Sequence, residues 1–69
     1  MMAEVHVGDI LRYESHSIVR ESKAYAVVLV AERIEDFIYN VIVLETNMYE
    51  AHSPWSLDPD VLNKCTLLA

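Results

Sequence analysis

The apolar positions of this chain concentrate in one stretch, Ala24 to Thr46, which reads AYAVVLVAER, then IED, then FIYNVIVLET. β-Branched and aromatic residues dominate both runs, which suits side chains standing on a pleated surface. Arg33, Glu35 and Asp36 gather at the break between the runs, as a solvated turn requires. The pattern predicts a β-hairpin at the middle of a small barrel. No Asn-Gly or Asp-Gly marks its tip, so the turn type stays open.

A helix competes for the same residues. Val27, Val28, Ala31, Ile34, Ile38, Val41 and Ile42 also fit an i, i+3, i+4 stripe. Valine and isoleucine are mediocre helix formers, however. A helix would also leave Leu29, Val30, Tyr39 and Val43 on its outer side, so the hairpin is the better reading.

A strand with one face in water alternates apolar and polar residues. These two runs are apolar on both faces over most of their length. A chain of 69 residues has little material left to cover the second face. The economical cover is another subunit or a partner protein. The candidate interface residues are Tyr25, Val28, Val30, Ile38, Ile42, Leu44, Tyr49 and Trp55. The pattern alone does not say which face of the hairpin they use.

The flanking segments supply the remaining elements. Met1 to His6 reads as a loosely held lead-in. Gly8, the one glycine, suits a tight turn, and Asp9 can accept from a nearby backbone N–H. Ile10 to Glu14 reads as a first strand. Ser15 to Lys23 reads as a polar loop with a brief strand at Ile18-Val19, and Asn47 to Ser53 as a short fourth strand. Pro54 and Pro59 cannot donate to a sheet ladder. Asp58 before Pro59 fits an N-cap with proline at the first helical position, which predicts one helical turn over Pro59 to Leu62. Lys64 to Leu68 would then close against the first strand. The fold class is all-β: a five-stranded small barrel in a single domain over residues 1–69, with one short helical turn near the C-terminus.

Composition narrows the partners. At this length one domain is the limit, and a core this small supplies roughly 3–5 kcal/mol without extra support. Cys65 is the one cysteine, so an internal disulfide cannot add to it, and nothing argues for an oxidising compartment. An apolar content of 54% again points to association. Eleven acids against five bases give a net charge of −6. Nucleic-acid binders carry a basic face, which disfavours DNA or RNA as a partner. No signal peptide is expected, because no basic flank precedes an apolar segment. The central stretch is not a membrane helix, since Glu32, Arg33, Glu35, Asp36 and Asn40 lie within it.

Two short motifs carry a family likeness. Val7-Gly8-Asp9-Ile10-Leu11-Arg12-Tyr13 resembles the opening strand of small SH3-like barrels, whose order of elements is also similar. Ser53-Pro54-Trp55-Ser56-Leu57 is similar to a stretch near the end of short uncharacterised SH3-like barrel proteins of tailed phages. The chain differs from them in lacking a glycine at the head of the second strand and in its more apolar central strands. The resemblance implies a phage-encoded module located in the virion or the host cytoplasm, with viral capsid proteins among its partners. It brings no catalytic residues with it.

Candidate chemistry is sparse. His6, His16, His52 and Cys65 are of metal-ligating type, but no two of them form the close pair that zinc sites use. Surface histidines and a small core thiol explain them better, so neither metal nor cofactor is expected. Cys65 lacks an orienting partner for nucleophilic work. Trp55, Tyr49 and Tyr13 suit either a lid over the barrel end or a contact surface. The expected function is therefore a non-catalytic interaction or structural module that self-associates, for example a capsid decoration protein. The alternative is a small acidic inhibitor that binds a host enzyme or mimics nucleic-acid charge.

Overall fold

The computed structural model describes residues 4–17, 22–48 and 51–69. Five strands and one helical turn follow in order: β1 (Ile10–Ser17), β2 (Ser22–Glu35), β3 (Ile38–Thr46), β4 (Trp55–Ser56), α1 (Pro59–Leu62) and β5 (Cys65–Leu67). All pairings are antiparallel, in the sheet order β4-β3-β2-β1-β5. The sheet curls into a half-barrel, which is the all-β, five-stranded architecture expected of the sequence.

The β2–β3 hairpin is the backbone of the fold. Its register shifts between Val27 and Val28, between Val30 and Glu32, and between Arg33 and Glu35. The residues left without a partner are Leu44, Ala31 and Ile34. Each such bulge bends the strand and adds right-handed twist, which curls a long hairpin over its own core. The tip differs from expectation. β2 runs on through Arg33-Ile34-Glu35, and Phe37, expected in the second strand, lies in the turn with φ +65°. Among the described non-glycine residues it alone has positive φ, which rules out the doubly positive type I′ turn.

β1 extends to Ser17 and pairs with β2 as far as Ser17↔Ser22. The expected Ser15–Lys23 loop is therefore shorter, because Ser15 to Ser17 and Ser22 to Lys23 add rungs to the ladder. The brief strand expected at Ile18-Val19 falls outside the described residues. Among the described residues of 47–53 no strand forms, and the fourth strand is instead the two-residue β4 beyond Pro54. Proline at 54 has no N–H to give a ladder, so pairing starts at Trp55, opposite Tyr39.

The inner face of the sheet holds the core: Leu11, Ala26, Val28, Val30, Val41, Leu57, Leu62 and Cys65 are all buried. Val5, in the expected loose lead-in, packs against them. Gly8 takes φ +101° and its N–H donates to Val30 O at 2.8 Å, while Val30 N–H donates to Asp9 O at 2.9 Å. The Asp9 carboxylate accepts from His6 N–H at 2.8 Å, closing the turn. α1 forms where expected. Asp58 is its N-cap, accepting from Val61 N–H at 2.9 Å, and Pro59 opens it. The turn drops Leu62 into the core and delivers Cys65 to β5 beside Tyr13.

Candidate docking surface

Alternation along the strands settles which face is which. Leu11 and Tyr13 of β1 and Ala26, Val28 and Val30 of β2 turn inward. Ile10, Arg12 and Glu14, and Tyr25, Val27 and Leu29, therefore turn outward. The register then lines up Ile10 opposite Leu29, and Leu29 opposite Ile42. Leu68 extends this row, its N–H donating to Ile10 O at 2.8 Å. An apolar band thus crosses the outer face through β1, β2 and β3. Ile42 is 52% exposed and Leu68 53%, while Ile10 and Leu29 are half-buried by their neighbours. Leu44, the extra residue of a bulge, stands beside the band at 53%.

The expected interface residues do not all lie here. Tyr25, Ile38, Ile42 and Leu44 do. Val28 and Val30 do not: at 0% and 1% exposure they are core residues and leave the candidate surface. Tyr49 falls outside the described residues. Trp55 lies on the opposite, concave side. Sequence reasoning missed Ile10, Leu29 and Leu68. The strand parity that unites them was present in the letters, but two-sided apolar strands conceal which parity faces the core.

Charged groups flank the band unevenly. On one side Arg12 donates from Nε to Glu14 at 2.7 Å, and its guanidinium lies 4.5 Å from the centre of the Tyr25 ring. The hydrogen bond from Arg12 holds the Glu14 carboxyl below its ordinary range, and the same bond raises the guanidinium. Glu45 stands opposite Val27, and Lys23 opposite His16. Glu14 N–H donates to Lys64 O at 3.0 Å, which carries Lys64 to the same end. On the other side Glu32 lies opposite Asn40, and Glu35 opposite Ile38. Arg33, near that end, is held in an ion pair by Asp36.

The concave side carries a second feature. Tyr13 and Trp55 meet edge to face, 5.8 Å between ring centres and 79° between planes. With Met48, Ser56 and Val61 they line an open cleft of about 280 Å³. Trp55 is half-buried, packed against the core, and lines the cleft. Another cleft of about 310 Å³ is lined by Val5, Phe37, Tyr39 and Leu57, with the Arg33–Asp36 pair at its rim.

The remaining chemistry-bearing groups are dispersed. Cys65 is buried, its Sγ 3.4 Å from Val61 O, and burial pushes its thiol pKa up. That is the reverse of what a nucleophile needs. His6 and His52 are exposed, and the His16 side chain is outside those described. Among the described residues no three His, Cys, Asp or Glu side chains gather as metal ligands. Among them, too, no helix is long and apolar enough to cross a membrane. No protein-family model, curated protein or solved structure matches the chain.

Proposed function

We propose that the chain is a non-catalytic protein-interaction module that self-associates through the outer face of its sheet and works as a structural part. One observation carries the reading: the band Ile10–Leu29–Ile42, with Leu68 and Leu44 beside it, lies on the side of the sheet away from a core that is already complete. Scattered surface apolar residues need no explanation, but a contiguous row across three strands marks a contact surface. Strand residues chosen only for folding would be polar on that side. If the chain is phage-encoded, the role is that of a virion component, such as a decoration protein seated on capsid proteins. Light scattering from about 20 μM to about 1 mM tests it. The expected result is a mass that rises with concentration for the wild type and stays monomeric for Ile42→Asp. A wild type that remains monomeric throughout removes self-association.

A second reading has its own support. Glu32, Glu35 and Asp36 lie along the last residues of β2 and in the hairpin turn, Glu4 lines the same cleft as Asp36, and Arg33 is paired with Asp36 among them. An acidic end of this kind fits a basic protein surface, as an inhibitor that mimics nucleic-acid charge would. Binding of that type would weaken as salt screens exposed charges beyond about 10 Å at 0.1 M. An apolar contact would respond little.

A further inference from the structure

No further inference is drawn: the strongest candidate, the apolar Ile10–Leu29–Ile42 band on the outer face of β1, β2 and β3, carries nothing beyond the contact surface already described, since nothing in the structure shows what covers it.

Discussion

Leu29 and Ile42 stand directly opposite each other in the β2–β3 ladder, on the side of the sheet turned away from the core. Their neighbours in sequence, Val28 and Val41, are buried beneath the same ladder. One strand position therefore separates a residue that holds the fold from one that serves a surface. Val28→Asp puts a carboxylate at a site with 0% exposure and should unfold the chain, costing about 4 kcal/mol or more. Leu29→Asp should cost about 1 kcal/mol and leave a folded monomer. Urea titrations followed by circular dichroism compare the two. Equal effects would mean that the two faces are not distinct.

Asp58 has one structural task that a single substitution removes. Its side chain accepts the Val61 N–H at the head of α1, and α1 places Leu62 in the core. Asp58→Ala should lower stability by about 1 kcal/mol, and Asp58→Asn should recover most of it. Denaturant midpoints of the three proteins are the measurement.

Phe37 sits at the hairpin tip with φ +65° and is 54% exposed, so its backbone is strained and its ring is only half-covered. Glycine adopts that conformation freely but adds freedom to the unfolded chain. The strain, about 1–3 kcal/mol, is the larger effect, so Phe37→Gly should stabilise by up to about 1 kcal/mol. Thermal melts decide. A loss of stability would show that the Phe37 ring, against the cleft lined by Val5, Tyr39 and Leu57, outweighs the backbone.

Burial raises the Cys65 thiol above its ordinary value of 9.0. The unfolded chain then releases that proton at a lower pH than the folded one. Above about pH 9 the native state binds more protons, so stability falls as pH rises toward the folded-state value. The contribution is fully present below about pH 8. Cys65→Ala should remove this part of the alkaline decline, visible as a smaller difference between urea midpoints at about pH 8 and about pH 10. An unchanged difference would place the thiol in contact with water.

Much of the fold is legible in the letters because local chemistry and tertiary context agree. Asp58-Pro59 announces a helix start, Gly8-Asp9 a turn, and the valine-rich runs a hairpin, and each forms. The misplacements have physical causes. Phe37 reads as strand because it opens the second apolar run, whereas the two-residue turn Asp36-Phe37 takes it at φ +65°. Asn47 to Ser53 reads as a fourth strand, whereas pairing resumes only at Trp55, past a proline with no N–H to give the ladder. Val28 and Val30 read as surface candidates because both faces of the strand are apolar, yet both are core residues. Only the cross-strand register, which brings Leu29 to Ile10 and Ile42, reveals the outer row.

The most direct test of a shared outer face is a dilution series of two-dimensional amide spectra of the wild type, from about 1 mM to about 20 μM. The account predicts that the signals of Ile10, Leu29 and Ile42 shift together and fit one dissociation constant, while those around the Tyr13–Trp55 cleft stay still. Spectra that do not change with concentration, or changes confined to that cleft, would contradict it.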